Sequence, residues 1–182
     1  MTHRPLLPLA LGLLLSPALH AAAFVPDDPS TYVTDTLQVT GEVQHALTLD
    51  VDALRTLPAH DYVDVDVAKA CGGDVANAEY KGYRGALLRD VVQRAALAGD
   101  DPKAWKRAYL VAHASDAYIA LFSWSELLNT SVGDGVLVVY AQHGQPLPPE
   151  VGHIALVSGC DRHPGPRHVK WLKAIELRTV PL

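Results

Sequence analysis

Short runs of alternating apolar and polar residues recur from Leu37 onward. Each is stopped by glycine, proline or aspartate, and the pattern leaves few architectures open. Leu37-Gln38-Val39-Thr40 alternates and Gly41 turns the chain; Ala46-Leu47-Thr48-Leu49 is a second strand candidate. Asp50 is placed to cap a short helix carrying Val51, Leu54 and Leu57, which Pro58 ends. Tyr62 to Val67 alternates again, with Asp64 and Asp66 on a solvated acidic face, and the small, polar residues 70–78 predict a loop. After Gly85, the spacing of Leu87, Leu88, Val91, Val92, Ala95 and Leu97 predicts a helix that Gly99 stops. Ala108 to Ala112 and Tyr118 to Phe122 read as strands. Ser123-Trp124-Ser125-Glu126 matches the S-x-x-E capping box and predicts a short helix through Leu128. The run Val136 to Ala141 follows Gly135 and predicts a buried strand; Gly144 to Pro149 reads as a turn. Ile154 to Val157 and Ala174 to Arg178 close the series. Strands and helices do not alternate as βαβ units do. The expected class is therefore α+β, with mixed β-sheets and a few short helices.

The chain has 182 residues, nearly half of them apolar, enough for one core and too apolar for a disordered chain. Its formal net charge of −5 argues against a generally basic nucleic-acid binder. Residues 1–23 resemble an export signal. His3 and Arg4 precede the apolar run Leu6 to Leu15, and Ala21-Ala22-Ala23 offers a small-residue cleavage site. That run is shorter than the roughly 20 residues of a membrane span, and no later stretch is long enough. The expected organisation is a cleaved signal over 1–23, a loose leader over 24–35 and a single domain over 36–182. The expected place is the periplasm or outside the cell. No Arg-Arg pair precedes the apolar run, which favours export of an unfolded chain.

Phosphate-loop, dinucleotide-binding, H-E-x-x-H and G-x-S-x-G motifs are absent. His143, His153, His163 and His168 have no familiar zinc spacing and read as loop and surface residues. Cys71 and Cys160 are the only cysteines. Exported pairs commonly oxidise, whereas a thiolate at Cys71, in the small-residue loop Ala70-Cys71-Gly72-Gly73, would suit a soft metal. Both readings stand at this point. Arg162, His163, Arg167, His168 and Lys170 form a basic cluster in a Gly- and Pro-rich segment, which suits an anion, phosphate above all.

Gln145-Pro146-Leu147-Pro148-Pro149-Glu150, followed by Arg167-His168-Val169-Lys170-Trp171-Leu172, resembles the molybdopterin-binding domain of the sulfite oxidase family. Upstream, the stretch from Leu37 to Tyr62 resembles that domain's opening strands and short helix. Tyr80-Lys81-Gly82-Tyr83-Arg84-Gly85-Ala86-Leu87 resembles the start of its next helix. The resemblance implies a molybdenum–molybdopterin cofactor, with Cys71 as the metal ligand and Arg167, His168 and Lys170 at the pterin and its phosphate. It implies Tyr118 as the active-site tyrosine, a small oxyanion substrate and a separate electron-transfer partner. The chain departs from the family's pattern in Gly72-Gly73-Asp74-Val75, in the short span from Cys71 to Ala86, and in Cys160 beside the basic stretch. These departures carry the alternative expectation: a cofactor-free binding module of the same fold that recognises an anion or a partner protein.

Overall fold

The computed structural model describes residues 28–61, 82–101, 103–163 and 165–181. The segment expected to be an export signal, the predicted strand with Asp64 and Asp66, and Cys71 lie outside the described residues.

Two five-stranded sheets organise these residues. The first takes β1 (Thr36–Gly41), β2 (Leu47–Asp50), β5 (Ala108–Ala114), β6 (Ile119–Ser123) and β10 (Leu172–Thr179), in the order β2-β1-β10-β5-β6. β1 runs parallel to β10 and the other pairs are antiparallel, so the sheet is mixed. The second joins β3 (Ala59–Asp61), β4 (Tyr83–Leu87) and β7 (Val136–Gln142), with β8 (Gln145–Pro146) and β9 (Ala155–Ser158) both on the far side of β7. Among the described residues there are three short α-helices: α1 (Val51–Arg55), α2 (Leu88–Ala95) and α3 (Trp124–Asn129).

The two sheets bury their strands differently, and the sequence states why. β1 and β6 alternate exposed and buried residues, so the first sheet packs one face only. β7 is apolar without alternation, and six of its seven residues are buried. Val136, Val138 and Tyr140 join the main core with Leu37, Val39, Leu110, Phe122 and Ile175, while Leu137 and Val139 pack on the opposite face with Tyr83, Leu147 and Val157.

Two local expectations need correction. The stretch expected to lead straight into a helix first forms β4, and the helix begins only at Leu88. Gly85 sits at the bulge of this strand, where a Cβ would lie 2.2 Å from the Val138 carbonyl oxygen, so its lack of a side chain lets β4 approach β7. The helix also ends before Gly99. Gln44 and His45 donate backbone N–H groups to the Ala96 and Ala95 carbonyls, each at 2.9 Å. Val43 bridges to Leu97, so pairing with the β1–β2 connection ends the helix at Ala95.

The expected caps are present. The Asp50 carboxylate accepts from Ala53 N–H at 2.7 Å. Ser123 and Glu126 form the reciprocal capping box, with Ser123 N–H donating to Glu126 Oε2 and Glu126 N–H to Ser123 Oγ, each at 3.0 Å. Within the segment read as a leader, Pro29–Tyr32 forms a 3-10 turn. Tyr32 packs on Trp171 with ring centroids 5.2 Å apart, and Thr34 Oγ1 donates to the Leu172 carbonyl at 3.2 Å.

Candidate functional site

The β5–β6 hairpin and the connection from β9 to β10, residues 159–171, build the site together. In the hairpin turn, Asp116 accepts from Tyr118 N–H at 2.9 Å, and Ala114 N–H donates to the Tyr118 carbonyl at 2.9 Å. Ala117 takes the left-handed region at φ +73°. This tight turn delivers Tyr118 at the start of β6 with 42% of its surface exposed. Its hydroxyl donates to the Pro166 carbonyl at 2.7 Å and ties the hairpin to the facing loop.

Residues 167–171 are turn and bend backbone with an isolated bridge at Val169, and Trp171 takes the left-handed region at φ +47° just before β10. Val169 is fully buried and pairs with Leu156 through reciprocal backbone hydrogen bonds of 2.8 and 2.9 Å. Arg167 is held by two carboxylates. Its Nε donates to Asp161 Oδ2 at 2.8 Å, its terminal nitrogens bond Asp161 and Glu126, and its Cζ lies 4.6 Å from the centre of the Phe122 ring. The hydrogen bonds to Asp161 lead in raising the Arg167 pKa above its ordinary value. Burial pushes Glu126 upward, but the Ser123 N–H and Arg167 outweigh it and leave that carboxyl below its ordinary value of 4.5.

His168 and Lys170 point away from this brace. With Tyr118, Asp116 and Gly165 they line a pocket of about 270 Å³. The His168 ring stands edge-on to Tyr83, centroids 6.2 Å apart, and the His168 backbone N–H donates to the Gly165 carbonyl at 2.9 Å. Trp171 then locks the stretch in place. Its indole N–H donates to the Pro149 carbonyl at 2.7 Å, its backbone N–H to the Val151 carbonyl at 2.7 Å, and its carbonyl accepts from Ser115 N–H at 3.0 Å. Gly152 is needed here: at φ +91° its absent Cβ would lie 2.9 Å from the Trp171 backbone.

The structure thus brings Tyr118, His168 and Lys170 together in one pocket and sets Arg167 behind it as a brace. Arg162 and His163 are exposed on the same loop. Sequence reasoning did not assign Asp161 and Glu126 as the partners of Arg167. The capping box had marked Glu126 only as a helix start; its second oxygen serves the loop. Cys71 lies outside the described residues. Cys160 is disulfide-bonded, and its Sγ lies 3.3 Å from the Ser131 carbonyl oxygen. Among the described residues, no three His, Cys, Asp or Glu side chains form a metal-binding group, and no helix is long and apolar enough to cross a membrane.

A second pocket, lined by Lys103, Lys106, Arg107 and Asp101, gathers more cations. Arg107 there is committed, with Nη2 donating to Asp101 at 2.9 Å and Nη1 to the Val180 carbonyl at 2.6 Å.

Comparison with known proteins bears on the family and the fold. The sequence of residues 22–181 matches the family model described as the oxidoreductase molybdopterin-binding domain. The fold is similar to the crystal structure of the sulfane dehydrogenase SoxCD from Paracoccus pantotrophus, with a TM-score of 0.53 and 18% sequence identity. The similarity covers 87% of this chain and 40% of that one, so the chain spans less than half the length of its structural neighbour. No curated protein matches the sequence. With a family match over nearly its whole length, the chain belongs to the oxidoreductase molybdopterin-binding domain family.

Proposed function

We propose that this chain is an anion-binding member of its family, holding a small oxyanion, or the phosphate of a larger ligand, in the pocket of Tyr118, His168 and Lys170. The observation that carries this reading is the convergence of those three side chains from two separate segments. Lys170 supplies a charge that no carboxylate ion pair of the described residues engages. His168 supplies a ring fixed against Tyr83. Asp116 on the same wall favours an anion that also offers a donor, such as a singly protonated phosphate. Residues 1–23, read as a signal, put this site in the periplasm or outside the cell, and a mature N-terminus at Phe24 is the check.

A second reading, favoured by the family match, is an oxidoreductase carrying molybdenum–molybdopterin, acting on a small oxyanion and served by a separate electron-transfer partner. Bound there, the cofactor would supply two-electron oxygen-atom transfer. The residues fit one end of it: Lys170 and His168 suit its phosphate. They do not fit the metal end, which on the family resemblance asks for a cysteine thiolate, because Cys160 is in a disulfide and the sequence holds one other cysteine.

Titration calorimetry with inorganic phosphate at low salt tests the first reading. Binding that weakens about tenfold or more in Lys170→Ala is expected, the size of one charged hydrogen bond. Equal affinity in wild type and Lys170→Ala would contradict it. Molybdenum and pterin near one per chain, in protein purified natively from a molybdate-fed host, would establish the second.

A further inference from the structure

We propose that the disulfide partner of Cys160 is Cys71 of the same chain. The exported protein is then a metal-free member of its family, because the one sulfur that the resemblance assigns to molybdenum is held in a covalent bond. Three observations carry this. Cys160 is disulfide-bonded. The full sequence has two cysteines, so an intramolecular bridge has one composition. The residues flanking Cys160 are hydrogen-bonded in place: Gly159 N–H donates to the Gly135 carbonyl at 2.8 Å, and Ser158 Oγ, itself buried, donates to Asp161 at 2.9 Å. Cys160 therefore sits at the root of the loop that carries Arg167, His168 and Lys170, on the same short segment that anchors the arginine brace.

The chemistry is simple. Metals take a cysteine as its thiolate, and a disulfide sulfur has no proton to lose. The bridge forms when the two thiols release two protons and two electrons to a disulfide-carrying oxidant of the exported compartment. The oxidant's own S–S bond breaks and leaves as two thiols. A bridge between positions 71 and 160 closes a long loop, the case in which a cross-link most restricts the unfolded chain. The sulfur has thereby exchanged a ligand role for a structural one. This inference concerns the thiol alone and holds whichever anion the pocket takes.

The test uses the full chain, exported by its own signal from a molybdate-fed host and purified without reductant. The protein is denatured, treated with iodoacetamide and weighed intact, alongside a sample reduced beforehand. A monomer mass with no alkylation, two alkylations after reduction, and a digest fragment linking the Cys71 and Cys160 peptides are expected, with no stoichiometric molybdenum. Alkylation before reduction, a cross-linked dimer, or near-stoichiometric molybdenum in the unreduced protein would each overturn the proposal. Phosphate affinity is read separately, so failure here leaves the anion reading standing, and the reverse.

Discussion

Arg167 turns inward, its guanidinium shared between Asp161 and Glu126 above the Phe122 ring, whereas Lys170, three residues on, stands exposed beside His168 and Tyr118. Both are cations on one loop. One is turned to carboxylates of the protein and the other stands open to solvent. A basic cluster in a sequence is thus a sum of two jobs, and the partners decide which residue does which. Planar Arg167 bridges two carboxylates on different elements, a geometry that the point charge of lysine does not reproduce. Lys170 has solvent in front of it and contributes charge where an anion would arrive.

The largest expected effect comes from breaking the inward side of this contrast. Arg167→Ala leaves two partly buried carboxylates facing each other and should cost about 3 kcal/mol. For a chain of this size that is roughly 6–12 °C in Tm, measurable by thermal unfolding. Arg167→Lys should recover only part of it.

Acid should act on the same brace. The Glu126 carboxyl lies below its ordinary value of 4.5 in the folded protein. A depressed carboxyl contributes stability that is present above the unfolded value and lost as pH falls through the folded one. Wild type should therefore lose stability below about pH 4.5. Glu126→Gln should be less stable by about 2 kcal/mol at pH 7, with the gap closing in acid. Chemical denaturation across pH 3–7 reads both.

A smaller effect is expected from Ser123→Ala. It removes the oxygen that caps α3 and frees the glutamate from one side, at about 1 kcal/mol. Loss of anchoring should also raise hydrogen exchange in the 159–171 loop, since Glu126 holds Arg167.

Lys170→Ala should change stability least, within about 0.5 kcal/mol, while weakening phosphate binding. That separation of stability from binding, opposite to Arg167→Ala, sharpens the comparison most.

Much of the fold was legible in the residues. The capping box at Ser123–Glu126, the aspartate cap at Asp50 and the unbroken apolar run of β7 each act locally, and each appears where its spacing placed it. β4 was obscured because Gly85 and Arg84 interrupt its alternation and the following helix pattern begins at Leu87. What defines it is pairing with β7, from Tyr83 opposite Gln142 to Leu87 opposite Leu137. The site was legible in part. The cations at 167, 168 and 170 and the tyrosine at 118 were identifiable as residue types, but the division between brace and pocket depends on Glu126, 41 positions from Arg167.

The central claim is that the anion goes to Lys170, His168 and Tyr118 rather than to the more cationic pocket of Lys103, Lys106 and Arg107. Amide ¹H–¹⁵N spectra recorded during titration with inorganic phosphate test it most directly. The account predicts the largest saturable shifts at residues 116–118 and 168–170, with those at 103–107 small and lost at moderate salt. Saturable shifts centred on 103–107, with 116–118 and 168–170 unmoved, would contradict it.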